Sequence, residues 1–122
     1  SCTAVAAQID KGYEYYMLEK EGRPRGYFAL VPVVPDGRAQ LSKIYVEKNA
    51  RGAGFGKQIM DFVEQRCREL GIGRLWLTVN RHNTDAIHFY QRVGFERTEE
   101  IVQDIGQGFV MDDYKMEKAV AR

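Results

Sequence analysis

At 122 residues the chain is one domain, residues 1–122, long enough to bury about two-thirds of the surface its unfolded form exposes. A hydrophobic share of 44% against 29% charged residues excludes a disordered chain, and a net charge of +1 supplies no field to steer it to nucleic acid or an anionic membrane. No apolar run approaches the ~18–20 residues of a transmembrane helix and no signal peptide opens the sequence, so neither partner is expected and the expected setting is cytoplasmic. Cys2 and Cys67 have neither metal-ligand spacing nor the density of a disulfide scaffold, and no metal is expected.

In chain order, Ala4 to Ile9 is a short lead-in with helical character. Tyr13 to Glu19 is aromatic-rich and strand-like, Glu21-Gly22-Arg23 is a turn, and Gly26 to Val34 reads as a second strand. Pro35-Asp36-Gly37 marks another turn, after which Ala39 to Val46 forms a third strand with Leu41, Ile44 and Val46 as its apolar content. These three strands read as an antiparallel meander. From Gly54 to Leu70 the apolar positions Phe55, Ile59, Phe62, Val63 and Leu70 recur at helical spacing, and Gly71 is placed to end the helix in a left-handed conformation. Leu75 to Val79 is a short, nearly continuous apolar run, as expected of a strand buried on both faces.

A second helix is expected from Thr84 to Val93, burying Ile87, Tyr90 and Val93, with Gly94 as its cap and Phe95 folding back on it. Glu96 to Ile105 and Asp112 to Lys118 read as two strands joined across Gly106 and Gly108. Strand, helix, strand in the middle implies a right-handed parallel crossover. The expected fold class is therefore α/β: a mixed, mainly antiparallel sheet with a central parallel strand pair and flanking helices.

The most informative segment, Val46 to Lys57, lies between a strand and a well-patterned helix. Gly52, Gly54 and Gly56 let the backbone approach a ligand, the helix N-terminus adds free N–H donors, and Arg51 and Lys57 flank the loop with positive charge. Together they suit a diphosphate-like group. A nucleoside-triphosphate loop needs four residues between its first glycine and Gly-Lys, then Ser or Thr; here there are three, and Gln58 follows Lys57. The dinucleotide fingerprint fails because position 57 is Lys and the upstream strands read as antiparallel. A tight strand-to-helix turn is the structural alternative for the glycines alone.

Arg51-Gly52-Ala53-Gly54-Phe55-Gly56 resembles the Arg/Gln-x-x-Gly-x-Gly/Ala loop of the GNAT (N-acetyltransferase) superfamily. Asn83 to Phe95 is similar to that family's second motif, Asn-x-x-Ala-x-x-Phe/Leu-Tyr-x-x-x-Gly-Phe. The resemblance covers Tyr13 to Lys118. It implies that acetyl-CoA is the cosubstrate, with its pyrophosphate on Arg51, Gly52, Ala53, Gly54, Phe55, Gly56 and Lys57. It also implies a pantetheine arm pairing with the backbone of Ile44, Tyr45 and Val46 in a gap between splayed strands. A backbone N–H near Val46 would serve the thioester oxygen.

The resemblance further makes Asn83 a coenzyme A contact, although Asn there is also a good helix N-cap. Tyr90 becomes the candidate catalytic acid for a departing thiolate of pKa about 8.5, and its structural alternative is a core tyrosine. Asn80 is a weaker candidate. The implied reaction is direct attack of a primary amine on acetyl-CoA in a ternary complex. A non-catalytic coenzyme A-binding module or sensor is the alternative. No base is identified: some relatives carry a glutamate where this chain has Gln40, and His82 and His88 read as surface residues.

The segment Asp104 to Lys118 is similar to tails of bacterial GNAT proteins, some related to polyamine acetyltransferases. That tilts the acceptor toward a small amine or polyamine. The family normally opens with a strand and one or two helices, which only about a dozen residues ahead of Tyr13 cannot supply. The expectation is that upstream residues are missing, leaving a sheet edge and an apolar face uncovered, or that a partner chain such as a second copy in a homodimer covers the gap.

Overall fold

The computed structural model describes the backbone of residues 2–10, 12–47 and 54–120, and the side chains of 12–42, 44–45, 47, 54 and 56–120. Seven strands form one sheet: β1 (Cys2–Asp10), β2 (Tyr13–Lys20), β3 (Arg23–Val33), β4 (Arg38–Val46), β5 (Arg74–Asn80), β6 (Glu96–Gly106) and β7 (Phe109–Ala119). Their spatial order is β1-β2-β3-β4-β5-β7-β6, with every neighbouring pair antiparallel except β4 and β5. Helices α1 (Phe55–Leu70) and α2 (Thr84–Arg92) flank β5 in sequence.

The lead-in is a strand, not a helix. Its alanines favour helix only weakly as a prior, and pairing along the edge of β2 from Cys2↔Lys20 to Asp10↔Tyr13 overrides it. The meander therefore has four strands rather than three. Among the described residues no α-helix precedes α1. The β2–β3 hairpin turns at Glu21 (φ 54°) and Gly22 (φ 75°), a pair of positive φ values that matches the strands' twist.

Both helices end as their glycines dictate. At α1, Gly71 N–H donates to Arg68 O (3.2 Å) and Ile72 N–H to Cys67 O (2.8 Å), with Ile72 and Cys67 both buried. At α2, Gly94 N–H reaches Gln91 O (3.1 Å), Phe95 N–H reaches Tyr90 O (2.9 Å), and the Phe95 and Tyr90 rings lie 5.7 Å apart. That helix stops at Arg92, and Ile87, Tyr90 and Val93 are half-buried rather than buried, because one side of α2 borders a cleft.

The core lies on one face of the sheet. Ile59, Met60, Val63 and Cys67 of α1 pack over Tyr16, Leu18, Phe28, Leu30, Leu41, Leu75, Leu77 and Met116. Burial raises the Cys67 thiol pKa to about 11, so that cysteine is a packing residue. β5 buries Leu75, Leu77 and Val79 but leaves Trp76 and Thr78 half-exposed, so only one of its faces is covered. Glu14, 6% exposed, points into the covered face and is held by Arg66 of α1 through two bonds (2.9 and 3.0 Å) and by the Tyr16 hydroxyl (2.6 Å). Those donors hold its carboxyl below the usual range, Arg66 first, against the opposing effect of burial.

Candidate active site

The site begins where the sheet fails to close. β4 and β5 pair at only three rungs, Arg38↔Arg74, Ala39↔Leu75 and Gln40↔Trp76. Gly37 O fixes the closed end by accepting from Gly73 N–H (3.0 Å) and Arg74 N–H (3.2 Å). Beyond Gln40 the strands part, while β4 stays paired to β3 as far as Val46↔Gly26. The β5-facing backbone of residues 41–46 is thus left without a strand partner, an arrangement that an extended, amide-bearing ligand can complete. The register between β3 and β4 skips Lys43, stepping from Ala29↔Ser42 to Phe28↔Ile44. This bulge puts Ile44 on the same face as Leu41 despite a spacing of three, and re-aims the backbone that lines the gap.

A cleft of about 1020 Å³ fills the space, at the upper end of ordinary ligand pockets. Its walls include Ile44 and Tyr45 of β4, Gly54, Gly56 and Lys57 at the start of α1, Thr78 to Asn80 of β5, and Asn83 and Tyr90 of α2. The sequence singled out most of these residues from separate segments, and the fold brings them to one cavity. Arg51, Gly52 and Ala53 lie outside the described residues. Val46 and Phe55 are placed by their backbone, Val46 as the last residue of β4 and Phe55 as the first of α1.

The glycines have distinct physical duties. Gly54 sits at φ +81°, a left-handed conformation that starts α1, and its carbonyl accepts the first helical bond from Gln58 N–H (3.1 Å). A Cβ there would meet nothing within 4 Å, so its constraint is conformational. Gly56 is different: a Cβ on it would come within 2.5 Å of the Phe89 ring. Its role is to let α1 and α2 approach, which brings the two motifs together. With α1's first turn opening into the cleft, its N-terminal N–H groups and the helix dipole are aimed where an anion would bind. Lys57 lines the same mouth, exposed and paired with Asp61 at 3.0 Å.

Asn83 is the N-cap of α2, its Oδ1 accepting from Ala86 N–H at 3.3 Å, which leaves Nδ2 as the group that can reach a ligand. Asn80 Oδ1 is used by the His82 backbone N–H (2.9 Å), consistent with a loop-closing role. Tyr90 is packed against Phe89 and Phe95, and burial raises its hydroxyl pKa above the usual 10, so it keeps its proton at neutral pH. His82 and His88 are exposed. Gln40 stands at the apex of the splay, half-buried.

Two cleft residues had no signal in the sequence. Lys118 of β7 donates to Glu64 of α1 (3.1 Å) and to the Val93 carbonyl at the end of α2. It ties together the three elements behind the cleft, but only the β5–β7 register, Leu75↔Lys118, places it there. Among the described residues no cluster of His, Cys, Asp or Glu is arranged to hold a metal ion, and no helix is long and apolar enough to cross a membrane.

Comparison with known proteins agrees with this geometry. Residues 3–95 match the model of the acetyltransferase (GNAT) family. An uncharacterised N-acetyltransferase from the pepI 3′ region of Lactobacillus delbrueckii subsp. lactis is 33% identical over 116 residues, covering 89% of this chain and 66% of the relative. A spermine/spermidine N(1)-acetyltransferase of Bacillus subtilis (strain 168) is 30% identical over 105 residues, covering 77% of this chain and 68% of the relative. The crystal structure of nourseothricin acetyltransferase superposes with a TM-score of 0.80 at 24% identity, over 91% of this chain and 67% of that one. The chain thus spans about two-thirds of the length of such relatives. With a matching family model over most of its length and a relative 30% identical of which it covers 68%, the chain belongs to the GNAT acetyltransferase family.

Proposed function

We propose that the protein transfers an acetyl group from acetyl-CoA to a small-molecule primary amine by direct attack in a ternary complex. The observation that carries this reading is the single cleft in which an unpaired β4 edge, a helix N-terminus and a protonated tyrosine meet. The β4 edge suits the amides of the pantetheine arm, and the start of α1 suits the pyrophosphate. Acetyl-CoA supplies an activated acetyl group. The amine nitrogen bonds to its carbonyl carbon and releases a proton to water, the C–S bond breaks, and the departing thiolate takes a proton from Tyr90. Bulk water can return that proton.

An acceptor amine of pKa about 10.4 must first lose a proton, at roughly 4–5 kcal/mol at neutral pH. Gln40 cannot accept it. That favours, as a second reading, a domain that binds coenzyme A without turnover. The relative that acts on spermine and spermidine supports a polyamine among the acceptors to be tried. Thiol release from acetyl-CoA over an amine panel, with initial rates at varied concentrations of both substrates, tests the proposal. Intersecting double-reciprocal lines are expected. Parallel lines would remove the ternary complex, and cofactor binding without thiol release on any amine would leave the binding module.

A further inference from the structure

The two helices are held to the sheet in different ways. α1 buries Ile59, Met60, Val63 and Cys67, whereas none of the nine residues of α2 is buried. The Phe89 ring lies against Gly56 of α1 and the Tyr90 ring against Phe95, but apolar contacts attract without fixing a direction. A directional hold reaches the C-terminal end of α2 from the sheet. Lys118 of β7 donates to the carbonyl of Val93, the residue that closes the helix, and to Glu64 of α1 at 3.1 Å. Its own mount is firm: Met116 and Val120, two residues to either side on the same face, are both buried, and Val120 N–H donates to Gly73 O at 2.9 Å. The lysine stem runs past Gly94, where a Cβ would come within 3.2 Å of it. With side chains only 20% and 18% exposed, Lys118 and Glu64 are screened less than a surface pair. A cation beside the last carbonyls of a helix is favoured by the helix dipole as well.

The end that Lys118 holds is the end that carries Tyr90. Val93 follows Tyr90 by about one turn, and the Tyr90 carbonyl accepts from Phe95 N–H (2.9 Å) as the helix closes. A shift of that turn moves the phenol relative to the β4 edge. We propose that Lys118 is a positioning residue for Tyr90: through Val93 and Glu64 its ammonium fixes the C-terminal turn of α2, and with it the place of the phenol that protonates the departing thiolate. This inference rests on the acetyl-transfer reading above. Lys118 transfers no proton itself.

The test uses acetyl-CoA with whichever amine of the panel turns over fastest. It compares Lys118→Met, which keeps the stem and removes the donor, with the double variant Lys118→Met, Glu64→Gln, which leaves no unpaired carboxylate behind. Both should turn over about ten- to a hundredfold more slowly, the cost of slightly misplacing a catalytic group, with coenzyme A affinity unchanged. The double variant should melt close to the parent and still be slow. In a Tyr90→Phe background the same substitutions should lower kcat no further, because a positioning residue acts only through the group it places. Losses that multiply, or parent-like turnover in the double variant, would overturn the proposal. So would weakened coenzyme A binding, which would make Lys118 a cofactor contact. Should the parent acetylate no amine, the catalytic reading fails separately, and hydrogen exchange decides the tie. The Phe95 amide, bonded to the Tyr90 carbonyl, should then exchange about tenfold faster in the double variant while the α1 amides keep their rates. Equal exchange at Phe95 would show that Lys118 does not hold that turn.

Discussion

The two faces of this sheet differ as much as two surfaces of one strand can. On the helix side, Phe28 is fully buried, edge-on to Phe62 at 5.8 Å and stacked near Tyr16 at 5.2 Å. One residue earlier, Tyr27 projects from the same strand and is half-exposed. The same contrast runs along β2, where Glu14, Tyr16 and Leu18 are buried while Tyr13 and Tyr15 stack on each other at 5.9 Å on the uncovered side. The covered face holds the sheet to α1 and supplies the helix side of the cleft. The bare face contributes aromatic surface that the core does not need. The contrast shows that a strand's alternation serves two environments at once: the side chains facing α1 are fixed by packing, and their immediate neighbours lie outside that constraint.

The largest effect is expected at Tyr90, whose hydroxyl the covered face keeps protonated. Tyr90→Phe should lower turnover by about 10²–10⁴-fold, the range for general acid catalysis, with coenzyme A affinity nearly unchanged. Calorimetric binding beside steady-state rates measures both. A variant that binds and turns over like the parent would make Tyr90 a packing residue only. Next comes the pair of neighbours on β3. Phe28→Ala should cost about 3–5 kcal/mol in urea unfolding, because a large cavity opens between sheet and helix. Tyr27→Leu should change stability by less than about 1 kcal/mol, since only one exposed ring contact is lost. Equal losses at the two positions would abolish the distinction between the faces.

How much of this was readable beforehand depended on whether the determinant was local. Both helices were legible because their periodicity and the glycines at 71 and 94 are written in adjacent residues, and the start of α1 because Gly54 stands immediately before its apolar pattern. The strand character of residues 2–10 was not, because their alanines say nothing about the β2 edge that recruits them. Nor was the one-sided burial of β5, since a run such as Leu75-Trp76-Leu77 reads alike whether one face is covered or two. The motif drew attention to Asn83 and Tyr90, and the fold places both on the wall of the cleft. Lys118 and Glu64 were not legible, as their meeting depends on strand register across 54 residues. The gap between β4 and β5 was expected only through the resemblance, because no residue type announces that their pairing stops after Gln40↔Trp76.

A middle-sized effect should come from Gly56→Ala. The new methyl would lie within 2.5 Å of Phe89, too close to be tolerated without movement of the ring or of α2. Overpacking of this kind costs about 1–3 kcal/mol. Because Phe89 and Tyr90 are neighbours on α2, turnover should fall alongside stability. The double variant Gly56→Ala, Phe89→Leu should recover much of both, by giving the methyl room. Failure of that rescue would mean that Gly56 serves the ligand directly and not the approach of the helices.

The smallest effect concerns Glu14, the one buried carboxylate among the described residues, and is read through pH. Arg66, then Tyr16, hold the Glu14 carboxyl below its ordinary value of 4.5 in the folded protein, and the unfolded chain has no such donors. Above about pH 5 the group is ionised in both states, and the interaction is fully present. As pH falls below 4.5 the unfolded state takes up its proton first, so stability drains away until the folded carboxyl is protonated as well. Glu14→Gln keeps the shape but cannot titrate. It should therefore melt below the parent at pH 7, with the gap in Tm narrowing progressively between about pH 5 and pH 3 as the parent loses its charge. Every other carboxylate titrates in both proteins and cancels in the difference. A gap that stays constant from pH 7 to pH 3 would show that Glu14 contributes through packing alone, and that the Arg66 pairing adds nothing to the hold of α1 on the sheet.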